Sequence, residues 1–198
     1  MTRGTPKTVH TLKVTLRHVK PPVWRRILVR SETRLSAVAN LTILAMGWDG
    51  YHLHSFETPD RTRYGIPDRD DLPMFGFGRP TLDESKHKLG DVLPAVGSKL
   101  RFDYDFGDGW EHDLVVEAIG RPESASTYPL CVAGKRACPP EDCGGPWGYQ
   151  EMLEALADTK HERHAELVEW IGDEFDPAEF DADEVTELMQ SVRPGDRW

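Results

Sequence analysis

The amino-acid sequence predicts an α+β protein with a mainly antiparallel sheet of about five strands and C-terminal helices packed against it. Apolar residues occupy every second position in several segments before residue 120, as in half-buried strands. After residue 147 they recur at helical spacing instead. Because the strands precede the helices and do not alternate with them, the order favours an antiparallel sheet over a doubly wound parallel one.

The first predicted elements are a hairpin and a helix. Segments 9–17 and 23–29 alternate, and the Lys-Pro-Pro turn between them indicates antiparallel pairing. Segment 35–46 carries apolar residues at helical spacing. It precedes Gly47, which is placed as a glycine that ends a helix.

A second hairpin is predicted in the middle of the chain. Segments 99–106 and 110–119 alternate and are joined by Gly-Asp-Gly, a typical turn sequence. Segment 51–57 supplies another strand. Segments 58–80 and 120–147 are rich in Pro and Gly, which predicts long irregular connections.

Three helices are predicted near the C-terminus. Their apolar stripes lie at 149–156, 167–171 and 183–190. No internal repeat divides the chain, so the elements are assigned to one domain with short tails. The domain, the N-terminal tail and the C-terminal tail cover residues 9–190, 1–8 and 191–198, respectively.

Charge and cysteine content narrow the classes of function. The 198 residues carry a formal net charge of −10, which disfavours broad binding to nucleic-acid phosphates. No segment approaches the roughly 20 apolar residues of a membrane span, and the polar N-terminus shows no secretory signal. Three cysteines are an odd number for a disulfide framework. We therefore expect a cytoplasmic protein without a membrane partner.

The cysteines form the first candidate site. Cys131, Cys138 and Cys143 lie in a Pro/Gly-rich segment at the spacing C-x6-C-x4-C. Zinc binds thiolates tetrahedrally and a loop lets three of them converge, so this spacing predicts a structural zinc site. The candidates for the fourth ligand are His112, which is preferred, His52, His54, Glu141 and Asp142. The alternatives are three free cysteines packed in small pockets, or one disulfide with one free thiol.

A second candidate site combines histidines and carboxylates. His52 and His54 alternate onto one face of a predicted strand, and two histidines at that spacing can bind one metal ion. Asp105 and Asp108, near His112 in sequence, add carboxylates suited to a divalent cation or to general acid–base catalysis. The alternative is that Asp108 forms a turn and that the histidines pack in the core or on a solvated face.

A basic pair on the second predicted strand is the candidate contact for phosphate. Arg25 and Arg26 follow Trp24, and arginine beside an aromatic ring can bind phosphate or stack on bases. The alternative is that both are exposed strand residues. The sequence has neither Gly-x-Ser-x-Gly nor a P-loop, so these routes to nucleophilic catalysis and nucleotide binding have little support.

Four motifs occur in order along the chain. Residues 12–26 contain LKVTL and KPPVWRR, residues 45–56 contain AMGWD and HLHSF, residues 104–112 are YDFGDGWEH, and residues 138–149 are CPPEDCGGPWGY. Together these motifs resemble the plasmid pRiA4b ORF-3-like family over roughly residues 9–185.

The resemblance implies a bacterial or archaeal protein associated with plasmids or transposon-like elements, and some family members are described as transposon resolvases. The sequence shows neither a serine-recombinase nor a tyrosine-recombinase pattern. We therefore expect a binding or interaction protein of a mobile element, with a structural zinc in the cysteine loop and an unidentified protein or nucleic-acid partner. The alternatives are a metal-dependent hydrolase acting on phosphodiesters and a DNA-binding accessory protein.

Overall fold

An eight-stranded mixed sheet organises residues 7–67, 80–172 and 175–191, which are the residues that the computed structural model describes. The strands are β1 Val9–Leu16, β2 Trp24–Arg30, β3 His54–Glu57, β4 Arg63–Gly65, β5 Leu82–Asp83, β6 Lys99–Tyr104, β7 Trp110–Gly120 and β8 Leu130–Lys135. Their order across the sheet is β5-β4-β3-β6-β7-β1-β2-β8. Neighbouring strands are antiparallel, except that β4 and β5 are parallel.

Five α-helices lie within the described residues. They are α1 Leu35–Met46, α2 Leu89–Val92, α3 Gly145–Ala157, α4 His164–Ile171 and α5 Ala182–Ser191, and a 3-10 turn covers Glu84–Lys86. Helix α5 packs against β8 and α1, and α3 packs against α4. None of the helices in this part of the chain has both the length and the apolar character needed to cross a bilayer.

One face of the sheet carries the core. On β1 and β2, Leu12, Val14 and Ile27 are fully buried, whereas the alternate residues Lys13 and Arg26 are only half-buried. Side chains alternate between the two faces of a strand, so the apolar set points to one side. Helix α1 belongs to the same core, with eight of its 12 residues buried.

The elements predicted from a strong periodicity of apolar residues are confirmed. The two predicted hairpins correspond to the antiparallel pairs β1–β2 and β6–β7. The helix predicted at 35–46 is α1, and Gly47 ends it with a left-handed φ of 84°. The three predicted C-terminal helices correspond to α3, α4 and α5.

The prediction of a mainly antiparallel sheet of about five strands is corrected to a mixed sheet of eight. Strands β4 and β5 have three and two residues, too few for a period of two to be visible. Strand β8 lies inside the segment predicted as irregular. Its alternation of apolar and polar residues is interrupted by Gly134 and by a register shift in its pairing with β2. The predicted 58–80 loop contains β4. Residues 68–79 of this predicted loop lie outside the described residues, as do residues 1–6 and 192–198 of the predicted tails.

Candidate functional site

Three connecting segments meet at one end of the sheet, and we call them the three-loop site. They are residues 47–53 between α1 and β3, residues 105–109 between β6 and β7, and residues 138–148, which lead into α3 and form its first turn. The backbone N–H of Asp105 donates to the Leu53 carbonyl at 2.9 Å. The backbone N–H of Gly144 donates to Asp108 Oδ2 at 3.1 Å, so hydrogen bonds join all three segments.

Aromatic rings form the base of the three-loop site. Trp48 stacks on Tyr104 with ring centroids 5.1 Å apart and lies 5.6 Å from Trp110. The Trp48 indole N–H donates to the Pro139 carbonyl at 2.8 Å. The Tyr104 hydroxyl donates to Glu141 Oε1 at 2.5 Å. Burial, then this hydrogen bond and the carboxylate charge, raise the pKa of Tyr104 well above its ordinary value.

The backbone of the three-loop site is closely packed and strained. A Cβ atom on Gly145 would lie 2.2 Å from the Asp108 carbonyl oxygen, so only glycine fits there. Asp105 and Asp142 adopt left-handed φ values of 53° and 57°. Such conformations cost free energy for residues other than glycine and are concentrated at functional sites.

An imidazole and two carboxylates come together within the three-loop site. His52 Nε2 lies 3.4 Å from Asp142 Oδ1 and 3.7 Å from Asp105 Oδ2, and these ligand atoms all lie within 4.8 Å of one another. Across the described ranges, this is the one group of three His, Cys, Asp or Glu side chains with that spacing. It is therefore the group with the geometry to hold a metal ion.

Large apolar side chains of the three-loop site are open to solvent. Tyr51 and Leu53 are 80% and 66% exposed, Phe106 is 56% exposed, and Trp147 is 88% exposed. Each of the three segments contributes at least one of them. Single exposed apolar residues are ordinary, but several on adjoining segments are typical of an interaction surface.

The same segments are acidic. They contain five carboxylates and no Lys or Arg; the five are Asp49, Asp105, Asp108, Glu141 and Asp142. A negative potential around exposed apolar groups favours a positively charged partner and disfavours phosphate.

Among the residues that the structure describes, no three of the predicted zinc ligands Cys131, Cys138, Cys143 and His112 have ligand atoms within 4.8 Å of one another. Cys131 is buried on β8, whereas Cys138 and Cys143 are partly buried in the last segment of the three-loop site. Burial is the largest cause that raises the pKa of Cys143 to about 12, so this thiol is protonated at neutral pH. His112 is fully buried, with Nδ1 3.2 Å from the Phe102 carbonyl oxygen. Zinc binding by these four residues stays a prediction.

The predicted polar cluster is assembled in part. His52 and Asp105 lie together, as described above. Asp108 accepts the backbone N–H of Gly144 from the last segment of the site, so its carboxylate joins two of the three segments. His54 is separate, because its Nε2 lies 3.1 Å from the buried carboxylate of Glu84.

Arg25 lies inside the protein, which contradicts its predicted contact with phosphate. Its Nε donates to the Ala45 carbonyl at 2.8 Å, and its guanidinium lies 4.7 Å from the centre of the Phe180 ring. Arg26 is on the other face of β2 and pairs with Glu117. Neither arginine is a free cation on the surface.

The apolar part of the site, Tyr51, Leu53, Phe106 and Trp147, is not among the residues predicted from the sequence. A signal was present for two of them. Phe106 stands in Asp-Phe-Gly and Trp147 in Pro-Trp-Gly, and large apolar residues within turn sequences are difficult to bury. For Asp142 the sequence predicts only a role as a candidate fourth ligand of the cysteine site.

Fold and site together define a class of α+β proteins in which three motif-bearing loops meet at one end of a mixed sheet. The family model described as plasmid pRiA4b ORF-3-like protein matches residues 8–184. This chain belongs to the plasmid pRiA4b ORF-3-like family. The membership confirms the resemblance carried by the four sequence motifs.

Two relatives agree with this membership. The uncharacterised protein y4hQ of Sinorhizobium fredii (strain NBRC 101917 / NGR234) is 43% identical over 166 residues, which cover 83% of this chain and 81% of the relative. The crystal structure of MM3350, a protein of unknown function from Methanosarcina mazei Go1, is similar with a TM-score of 0.79 and 37% sequence identity. That match covers 91% of this chain and 98% of the other.

Proposed function

We propose that this protein is a binding module that recognises a basic segment of a partner protein through the three-loop site. The observation that carries the proposal is the exposure of Tyr51, Leu53, Phe106 and Trp147 on segments with five carboxylates and no Lys or Arg. The family name refers to a plasmid, so proteins encoded by mobile elements are the first partners to test.

The exposed aromatic side chains are suited to supply free energy of binding. Trp and Tyr are among the residues whose truncation most often costs about 2 kcal/mol or more at an interface. Burying Trp147 and Tyr51 against a partner would remove large apolar areas from water. Hydrogen bonds to Pro139 and Asp108 already hold the segments, so little ordering is needed on binding.

Charge favours a basic protein over a nucleic acid. The acidic segments repel phosphates, whereas they attract Lys and Arg and speed the encounter with a basic partner. The DNA-binding alternative has less support, because Arg25 is buried and Arg26 is paired with Glu117.

The metal-dependent hydrolase also has less support than a binding module. In that alternative one open site is lined by His52, His54, Asp105, Asp108 and His112. His54 and His112 instead lie in the interior, where each is engaged by neighbouring groups of the protein.

Selection from a peptide library tests the proposal. Random peptides displayed on phage would be selected against the full chain, and the affinity of the selected peptides measured by fluorescence anisotropy. We expect peptides that combine Lys or Arg with apolar residues and bind more weakly as ionic strength rises. The double variant Tyr51→Ala/Trp147→Ala should weaken binding by at least about 30-fold, the equivalent of about 2 kcal/mol.

Trp170→Ala is the matched control, because Trp170 is a half-exposed aromatic residue on α4, outside the three-loop site. Its affinity for the same peptides should equal that of the unaltered chain. Equal losses in the control and the double variant, or selection of acidic peptides, would rule out the three-loop site as the binding surface.

A further inference from the structure

The group formed by His52, Asp105 and Asp142 has a feature that the apolar surface does not explain. The imidazole nitrogen faces both carboxylates at 3.4 and 3.7 Å, yet it forms a hydrogen bond with neither. A charge-assisted N–H···O bond would bring the atoms to about 2.7–2.9 Å. The three groups are thus assembled but not bonded to one another.

The separations fit ligand atoms around a tetrahedral metal ion. Zinc binds imidazole nitrogen and carboxylate oxygen at about 2.0–2.2 Å, which places neighbouring ligand atoms about 3.4 Å apart. The distances from His52 Nε2 to the two carboxylate oxygens are at or slightly above that value. Small side-chain movements would bring all three atoms to bonding distance of one ion.

Asp105 gives an independent indication of a cation. The residue is only 9% exposed. Its Oδ1 accepts the Gly107 N–H at 2.9 Å, but among the described residues no hydrogen-bond donor reaches Oδ2, which is directed toward His52. The carboxylates of Asp105 and Asp142 each bring an oxygen within 4.8 Å of the other, and like charges at that separation repel. A bound cation would remove this repulsion.

The ligand types indicate which metals would bind. One imidazole with two carboxylates suits first-row transition ions such as zinc, whereas magnesium and calcium prefer sites made of oxygen alone. Three protein ligands would leave at least one position of a zinc ion for water or another ligand. The side chain of Asp142 is 75% exposed, so the group is open to solvent on that side.

We propose that His52, Asp105 and Asp142 bind one divalent first-row transition-metal ion, with zinc as the first candidate, and leave a coordination position open to solvent. This site differs from the predicted cysteine site in all of its ligands. It also does not depend on the proposed partner, because the chain alone supplies the three ligands.

Calorimetric titration of the chelator-treated full chain with zinc tests the site. We expect one ion per chain, with affinity reduced more than about 100-fold in His52→Ala and in Asp142→Asn, since loss of an outer-shell partner alone costs about 10–100-fold. His18→Ala is the matched control. His18 Nε2 also lies 3.7 Å from a carboxylate, that of Glu111, but Arg17 already pairs with that carboxylate. The control should bind zinc normally.

The double variant Cys138→Ser/Cys143→Ser separates this site from the cysteine loop. We expect this variant to keep its zinc affinity. We also expect cobalt bound to the unaltered chain in place of zinc to lack the intense charge-transfer bands of thiolate ligands. Loss of zinc binding in this variant, with retention in His52→Ala, would overturn the proposal and assign the ion to the cysteines. No zinc binding by the unaltered chain would also overturn it and leave a simple ion pair.

Discussion

His52 and His54 are separated by one residue, yet the structure gives them opposite environments. His54 is the first residue of β3, and its Nε2 lies 3.1 and 3.2 Å from the two oxygens of the buried Glu84 carboxylate. The Phe102 ring packs beside it, with centroids 5.6 Å apart. His52 precedes the strand and faces the carboxylates of Asp105 and Asp142, the second of which is exposed to solvent. It forms a hydrogen bond with neither carboxylate.

His112 lies in the interior like His54, but only its Nδ1 has a hydrogen-bond partner, because Nε2 is buried without one among the residues that the structure describes. It is fully buried, its ring lies edge-on to Trp48 with centroids 5.4 Å apart, and its Nδ1 is 3.2 Å from the Phe102 carbonyl oxygen. Burial is the main cause that lowers the pKa of His112 from 6.5 to about 4, so the ring is neutral at physiological pH.

The comparison separates histidines that hold the fold from a histidine with the geometry of a ligand. His52 and His54 are the same residue type and lie two positions apart, so the sequence alone does not distinguish them. What differs is whether the ring nitrogen already has a partner at hydrogen-bonding distance. A satisfied nitrogen in the interior contributes to stability, and an unsatisfied one between two carboxylates is available to bind an ion.

The largest effect on stability is expected from breaking the His54–Glu84 pair. Glu84→Ala should lower the free energy of unfolding by about 3–5 kcal/mol, because it removes one partner of a buried pair. Chemical denaturation would measure the loss. Lys86→Ala is the control, since Lys86 is an exposed residue of the same 3-10 turn and its loss should cost less than about 1 kcal/mol. Similar losses in the free energy of unfolding for both variants would show that the His54–Glu84 pair contributes little to stability.

A somewhat smaller effect is expected from acid, through His112. The unfolded chain takes up a proton at this imidazole near pH 6.5, whereas the folded chain does so only near pH 4. Between these values the unfolded state binds more protons, so lowering the pH from 6.5 to 4 lowers the free energy of unfolding by up to about 3 kcal/mol.

The His112 contribution can be isolated by comparing slopes. Free energies of unfolding would be measured by denaturant titration across this pH range for the unaltered chain and for His112→Leu. The variant is expected to lose less stability on acidification, whatever its stability at neutral pH. Identical slopes would mean that His112 does not resist protonation in the folded chain.

How well each part of the fold could be predicted depended on the length of its pattern. Strands β1, β2, β6 and β7 have six to 11 residues and alternate clearly, so their hairpins were predicted from sequence. The two- and three-residue strands at one sheet edge carry no visible period, and they form only because a neighbouring strand pairs with them.

The alternation of segment 23–29 also indicates the burial of Arg25. Arg25 stands two residues before Ile27 and four before Val29, so the predicted alternation of segment 23–29 itself places it on the same, inward face. Its carbonyl partners could not be predicted, because Ala45 and Lys135 come from distant parts of the chain.

The His52 group shows a different limit. His52 and Asp105 were both predicted as site residues, but the meeting with Asp142 depends on where the 138–148 segment crosses the other two. That crossing is fixed by long-range contacts, among them the hydrogen bond from Tyr104 to Glu141. No local pattern encodes such a contact, so the set of three could not be derived from spacing alone.

The smallest effect on stability is expected from His52→Ala, and it sharpens the contrast with His54. With a chelator present, the variant should unfold within about 0.5 kcal/mol of the unaltered chain, because His52 makes no hydrogen bond with its two carboxylate neighbours and lies near the surface. Zinc at 100 times its dissociation constant should stabilise the unaltered chain by about 2.7 kcal/mol. It should leave the variant unchanged. Thermal unfolding with chelator and with zinc measures both quantities, and His18→Ala should retain the full zinc effect.

A loss of unfolding free energy in His52→Ala as large as that in Glu84→Ala, in the presence of chelator, would instead assign His52 to the structural histidines. It would also remove the distinction between His52 and His54.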